Sequence, residues 1–162
     1  MGKKFELTTD TKIHFGRKLF RIKALISFGN VNAGDLGGYV ESEKNLSQSG
    51  DAWVYGDAEV CGNARVCGDA RVCGNAWVYG NADYVCVKGL GSQFRNTTFF
   101  KCKNGDIYVI CGCFEGNLDE FTKKVKTTHG DSKYAKEYLA MVEVVKIHFE
   151  NENGNESGEQ SD

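Results

Sequence analysis

From Gly50 to Tyr84 the sequence is GDAWVY-GDAEVC-GNARVC-GDARVC-GNAWVY-GNADY, which repeats the pattern Gly-[Asp/Asn]-Ala-x-Val-x every six residues. Ala and Val stand two residues apart, so their side chains point to the same face of an extended strand. The residue between them points to the opposite face and varies freely. Gly followed by Asp or Asn tolerates the left-handed backbone angles of a tight corner.

A six-residue repeat of this kind is the sequence signature of a parallel β-helix, in which three hexapeptides make one triangular coil. Residues 18 apart should then stack, with the small Ala and the branched Val filling a narrow interior. The same phase continues upstream with less regularity and places Val40 and Leu46 in the Ala column. The repeat therefore predicts a β-helix of about three coils within residues 31–86.

A short β-helix exposes its apolar core and unpaired strand backbone at both ends. The segments that flank the repeat are therefore expected to act as caps. Residues 1–30 alternate apolar and polar positions on either side of Gly16, which predicts an N-terminal β-hairpin. Residues 150–162 contain no apolar side chain and five acidic ones, which predicts a disordered acidic tail.

Residues 87–149 are predicted to form a C-terminal ββαα module. Two strand-like runs flank Asn104-Gly105, a strong signal for a hairpin. A first helix is expected from an Asn117 cap to Gly130, and a second from about Ser132 to Phe149. The predicted fold class is thus mainly β, with an N-terminal hairpin cap and a C-terminal α+β cap.

The composition is that of a globular chain of one domain. The 162 residues are 41% apolar and 26% charged, and no apolar run is long enough to span a membrane. No apolar segment follows the N-terminal lysines, so a signal peptide is not expected. We therefore predict a cytoplasmic protein whose seven cysteines are reduced thiols.

The cysteine pattern does not favour a metal site. Cys61, Cys67 and Cys73 recur every six residues, which is one third of a coil, so they are expected at three different corners. Cys111 and Cys113 share one side of a strand, but no second pair has zinc spacing. No metal and no cofactor are predicted.

The histidines do not favour catalysis in the repeat. Hexapeptide-repeat acyltransferases use a histidine near the coils as general base, and γ-class carbonic anhydrases need a histidine triad for zinc. Residues 31–86 contain no histidine, and His14, His129 and His148 all lie in the flanks. No catalytic residue is therefore predicted.

The variable positions of the repeat supply the candidate binding residues. An offset of 18 places Trp53 beside Arg71, and an exposed Trp next to Arg can bind by stacking and by charge. The candidates are Trp53, Tyr55, Arg65, Arg71, Trp77 and Tyr79. Contact between subunits is the alternative role for these residues, because the β-helices of hexapeptide-repeat proteins usually pack as trimers.

Several segments together resemble a known group of proteins. They are Arg21–Leu25, Gly34–Val40, the repeats, Cys111–Gly116, Phe121 and His129-Gly130. In these segments the chain is similar to hexapeptide-repeat proteins that form a left-handed β-helix and are common in bacteriophages, prophages and gut bacteria. This resemblance implies a left-handed coil. A phage origin would imply a role against host defence.

The function predicted from the sequence is that of a non-catalytic, trimeric binding protein. It would sequester a small anionic, nucleotide-like ligand or block a host immune protein. An acyltransferase with His14 or His129 as its base is one alternative, and a structural assembly protein is another. Residues 1–30 hold seven Lys or Arg against two acidic residues, but solvated strand positions explain this excess. Neither nucleic acid nor membrane is an expected partner.

Overall fold

The structure, a computed structural model, describes residues 2–150. Eleven strands and two α-helices form within this range, together with 3₁₀ turns at Glu43–Asn45 and Asn81–Asp83. The strands are β1 Phe5–His14, β2 Arg17–Ala24, β3 Leu36–Val40, β4 Trp53–Val54, β5 Glu59–Val60, β6 Arg71–Val72, β7 Trp77–Val78, β8 Tyr84–Leu90, β9 Arg95–Lys101, β10 Ile107–Cys111 and β11 Phe114–Asn117. The helices are α1 Leu118–His129 and α2 Lys133–His148.

The predicted left-handed parallel β-helix is wrong as a description of this fold. Within residues 2–150 the strands form three separate sheets, and no continuous solenoid sheet is present. A mixed sheet has the order β1-β2-β3-β5-β7, an antiparallel sheet has the order β11-β10-β9-β8, and β4 pairs with β6 alone. The physical reason is that the repeat strands are only two residues long, and the hairpin β1–β2 joins them by antiparallel pairing with β3.

Parallel pairing between repeats does occur, with two different offsets. Trp53 pairs with Arg71 and Glu59 pairs with Trp77, each 18 residues on. Val40 instead pairs with Val60, an offset of 20, and Leu46 likewise bridges Val66, so the predicted place of both residues in the Ala column is wrong.

The two extra residues lie between Leu46 and Trp53. Leu46 bridges Val66, still with an offset of 20, whereas the offset is 18 from Trp53 onward. In this loop Gln48 Oε1 accepts a hydrogen bond of 2.7 Å from the backbone N–H of Lys4. The N-terminal segment therefore holds the wider loop in place.

The interior of the repeat is built from its Ala and Val residues. Each of them from Ala52 to Val78 is at most 1% exposed. Close backbone packing also fixes some corners, because a Cβ on Gly62 would lie 2.5 Å from the carbonyl oxygen of Tyr79. The physical argument for the interior positions therefore holds, although the sheet is not a continuous coil.

The backbone of the last repeat is closed by the C-terminal segment. Ala76 forms an antiparallel bridge with Cys102, and the backbone N–H of Lys103 donates to the Asn75 carbonyl over 3.0 Å. Strand β7 is an end strand of the mixed sheet. The turn that leads from β9 to β10 thus covers its far side.

The C-terminal segment packs two helices on a four-stranded antiparallel sheet. The sequence predicted two of these strands, whereas β8 and β11 extend the sheet on both sides. Helix α1 begins with a capping box, because Asn117 Oδ1 accepts from the Glu120 N–H and Glu120 Oε1 accepts from the Asn117 N–H, both over 2.8 Å. Aromatic side chains, among them Phe99, Phe121 and Tyr138, form the core of this segment.

Two predictions from the sequence concern the ends and the membrane. The predicted acidic tail lies outside the described residues except for Glu150. Among residues 2–150, neither helix has the length and apolar character needed to cross a bilayer.

Candidate ligand-binding cleft

Trp53 does not belong to an exposed binding surface. Its side chain is 1% exposed and lies against Phe5 and Phe28, with ring centroids 6.3 and 5.3 Å away. The prediction of an exposed Trp53 is therefore wrong. The N-terminal segment covers this position because it brings two aromatic rings of its own to the repeat.

Trp77 and Tyr79 form a separate aromatic cluster beneath the hairpin. The Trp77 ring lies 5.3 Å from His14, 5.1 Å from Phe15 and 4.6 Å from Tyr79. The Trp77 indole nitrogen and the Tyr79 hydroxyl are both buried in this cluster. Neither residue of this predicted pair lines the two hollows described below that contain Arg71.

Arg65 is exposed at a third position. Its guanidinium donates to the Lys44 carbonyl over 3.4 Å, and its own carbonyl accepts from the Tyr84 hydroxyl over 2.6 Å. It lies apart from the other predicted arginine, although both occupy the same position of consecutive hexapeptides.

Tyr55 and Arg71 are the two predicted residues that come together at a cavity. Two adjoining hollows, of about 280 and 380 Å³, share Asn30, Tyr55 and Arg71 in their linings. One hollow continues to Arg95, and the other continues to Tyr108. We refer to the two hollows together as the Arg71 cleft.

The C-terminal segment holds Arg71 in place at two points. Its backbone N–H donates to Thr98 Oγ1 over 3.2 Å, and its Nη2 donates to the Gly112 carbonyl over 2.9 Å. A guanidinium has five N–H donors, so several remain for a ligand. Within residues 2–150, neither Arg71 nor Arg95 has a carboxylate within 4.0 Å.

Tyr55 and Cys73 remain protonated at neutral pH. Burial raises the pKa of the Tyr55 hydroxyl, and the nearby charge of Arg71 opposes this rise. Burial, together with the charge of Glu115, raises the pKa of the Cys73 thiol to about 12. Tyr55 can therefore donate a hydrogen bond, whereas Cys73 is a poor nucleophile and a poor metal ligand.

The cleft also contains acidic residues. Asp51 and Asp69 lie in the smaller hollow, and Glu115 lies in the larger one. Lys88 partly neutralises Asp69 through an ion pair of 3.0 Å. The cleft thus offers cationic groups for an anion beside carboxylates that accept hydrogen bonds from hydroxyl or amine groups.

Most lining residues of the cleft were not predicted from the sequence, among them Asn30, Arg95, Tyr108 and Gly112. These four come from the flanking segments, and no local motif marks them as cleft residues. Only the packing of these segments on the repeat brings them to Arg71.

A buried carboxylate, also not predicted, lies on the side of the repeat that the hairpin covers. Glu59 is 1% exposed, forms ion pairs with Lys12 over 2.7 Å and with Lys103 over 2.9 Å, and shares a hydrogen bond with His14. Burial alone would raise its pKa, but hydrogen bonds from these three side chains outweigh burial and lower it. Glu59 therefore stays ionised and ties both flanks to the repeat.

The histidines are engaged elsewhere, and none lines the Arg71 cleft. His14 contacts Glu59, His148 Nε2 lies 2.7 Å from the Ala82 carbonyl oxygen, and His129 packs near Tyr138. Among the residues that the structure describes, no group of three or more His, Cys, Asp or Glu side chains is arranged to hold a metal ion.

Comparison with known proteins gives no assignment. No protein-family model matches this chain, and no curated protein matches its sequence. The similarity to phage hexapeptide-repeat proteins therefore stays a prediction.

Proposed function

We propose that the protein is a binding protein whose Arg71 cleft takes a small anionic ligand of nucleotide type. The observation that carries this proposal is that Tyr55 and Arg71 line both hollows of one cleft. Arg71 lacks an acidic partner within the described residues, and its guanidinium fits a phosphate or carboxylate group.

The neighbours of Arg71 favour a ligand with both an anionic group and hydrogen-bond donors. Arg95 adds a second cation at one end of the cleft, Tyr108 supplies an aromatic ring at the other, and Tyr55 lines both hollows. Asp51 and Asp69 suit hydroxyl groups such as those of a ribose. A nucleoside monophosphate combines a phosphate, a planar base and sugar hydroxyls, so it matches this set of groups.

Binding rather than catalysis is the function that these residues support best. The thiol in the cleft is protonated, and the histidines of the alternative acyltransferase hypothesis, His14 and His129, do not line it. Turnover of acetyl-CoA by the purified protein would favour that alternative. Polymers without any ligand in light scattering would favour the structural one.

The cellular setting stays part of the proposal. We infer a cytoplasmic protein with reduced thiols that assembles as a homotrimer. A role against host defence, by sequestering a nucleotide or by blocking a host immune protein, follows from the resemblance to phage proteins alone.

Native mass spectrometry of the purified protein, followed by titration with the four ribonucleoside monophosphates, tests the proposal. We expect either a bound mass that denaturation releases or binding of at least one of the four probes. Arg71→Gln should weaken binding at least tenfold, since it removes a charge-assisted hydrogen bond. Arg65→Gln is the matched control, because it changes the same repeat position outside the cleft, and its affinity should stay within about twofold.

Two results would contradict the proposal. One is the absence of both a bound mass and probe binding, and the other is equal loss of affinity in the two arginine variants. The same native spectrum reports the number of chains, so it also tests the trimer.

A further inference from the structure

A second cavity lies in the C-terminal segment, between the four-stranded sheet and the helices. Its volume is about 290 Å³, near the lower end of the range for small-molecule sites. Its apolar lining includes Phe114, Phe121, Val125 and Tyr138. We refer to this space as the helix cavity. It shares Arg95 with the Arg71 cleft but does not contain Arg71, and it does not depend on the proposed function.

The charged side chains that line the helix cavity, Arg95 and Lys124, are both basic. His129 lines it as well, and no Asp or Glu does so. The Arg71 cleft differs, since carboxylates accompany its arginines. An anion would therefore meet no direct repulsion from the residues that line the helix cavity.

Arg95 lies at the rim of this cavity. Gly112 has a φ of +61°, and a Cβ at this position would overlap the Nη1 atom of Arg95. A glycine at this turn thus leaves room for the guanidinium beside the backbone. Arg95 is exposed, so its guanidinium is accessible to an anion at the edge of the cavity.

The apolar end of the cavity is aromatic and closely packed. Tyr138 is 6% exposed, and its ring contacts Phe121 edge to face with centroids 5.6 Å apart. Its hydroxyl donates to the Leu90 carbonyl over 3.4 Å, so it is already engaged inside the protein. The His129 ring lies 5.8 Å from the Tyr138 ring, which joins the aromatic end to the basic rim.

We propose that the helix cavity binds a small aromatic carboxylate. The aromatic body of such a ligand would contact Phe121 and Tyr138, while its carboxylate would lie near Lys124 and Arg95. A single ring or a fused pair of rings suits the volume of the cavity. The combination of an apolar interior with a basic rim favours aromatic carboxylates over neutral aromatic compounds and over inorganic anions.

Isothermal titration calorimetry with 1-naphthoate tests the proposal, with 1-naphthalenemethanol as the neutral counterpart. We expect the carboxylate to bind at least tenfold more tightly than the alcohol. Lys124→Gln should raise the Kd of 1-naphthoate about three- to tenfold. Lys123→Gln, on the same exposed stretch of α1 but outside the cavity lining, should leave the Kd unchanged.

A second variant protects the test from an effect on folding. Thr128 is exposed and lines the cavity, so Thr128→Phe should obstruct it without changing the buried core. Loss of 1-naphthoate binding in this variant, with an unchanged thermal midpoint, supports the proposal. Arg71→Gln should leave 1-naphthoate binding intact, which separates this site from the Arg71 cleft. The proposal is overturned by an absence of binding, by equal affinity for the alcohol, or by equal effects of Lys123→Gln and Lys124→Gln.

Discussion

Two sides of the same repeat have opposite surroundings. On the covered side, Glu59 and Trp77 of β5 and β7 lie beneath Lys12, His14 and Phe15 of the hairpin. On the open side, Tyr55 and Arg71 face the two hollows of the cleft. The residue between Ala and Val is variable on both sides, so the flanks decide whether it becomes a structural or a binding residue.

The largest effect is expected from breaking the attachment of the covered side. Gly38 belongs to β3, which joins the hairpin to the repeat, and a Cβ there would lie 2.5 Å from the Ala58 carbonyl oxygen and 2.7 Å from Val54. Gly38→Ala should lower the free energy of unfolding by about 3 kcal/mol in urea titrations. Gly80→Ala has open space and an extended backbone, so it should change stability by less than about 0.5 kcal/mol. Equal effects would contradict the packing described for β3.

The second largest loss of stability is expected from removing the buried charge of Glu59 on the covered side. Glu59→Gln keeps the volume but leaves Lys12, His14 and Lys103 without their common anion, so stability at pH 7 should fall by about 2 kcal/mol. Glu43→Gln, which breaks a more exposed pair with Lys3, should have an effect of less than about 1 kcal/mol.

The pH dependence sharpens this test. The folded-state pKa of Glu59 is lowered, so its contribution is fully present above the ordinary carboxyl pKa of about 4.3. It is lost as the pH falls through the lower folded-state value. The stability difference between Glu59→Gln and the unmodified protein should therefore shrink below about pH 4. A difference that stays constant down to pH 3 would argue against an ionised Glu59.

The open side should tolerate substitution much better. Arg71→Gln removes one hydrogen bond of a half-buried side chain, to the Gly112 carbonyl, so it should cost at most about 1 kcal/mol. Thermal unfolding of this variant beside Glu59→Gln measures the contrast directly. A loss for Arg71→Gln as large as for Glu59→Gln would show that both sides are structural.

The smallest change is a labelling experiment that leaves stability untouched. Burial raises the pKa of Cys61 to about 11, with the Tyr79 side chain as an opposing influence, and burial also raises the pKa of Cys102 to about 11. Brief treatment with iodoacetamide at pH 8 should therefore modify the exposed Cys67 and Cys113 before these two. Peptide mass spectrometry gives the order. Early labelling of Cys61 would place its side chain outside the repeat.

The sequence was informative about the interior of the repeat because spacing alone fixes which side chains share a face. Ala and Val at every unit from Ala52 to Val78 are buried as this spacing requires. The predicted 18-residue offset was wrong upstream of the repeat, for Val40 and Leu46, because two extra residues near Gln48 widen the loop. No periodic pattern in the sequence indicates such a loop.

Exposure on the outer faces was much harder to predict. Trp53 and Glu59 are buried because residues at least 25 positions away pack over them. Arg71 and Tyr55 do lie together, but Arg95 and Tyr108 join them through tertiary packing alone. A local pattern can indicate which residues point outward, whereas it cannot show what covers them.

The closure of the last repeat also bears on aggregation. An uncovered end strand would present its backbone to a second copy of the chain, which is the usual route to sheet extension between molecules. Here the bridge from Ala76 to Cys102 and the hydrogen bond from Lys103 to Asn75 already occupy part of that backbone, with antiparallel pairing. A further hexapeptide from another molecule would need a parallel partner at these positions. Growth of a fibre from this end would therefore first require the chain to release its own turn between β9 and β10.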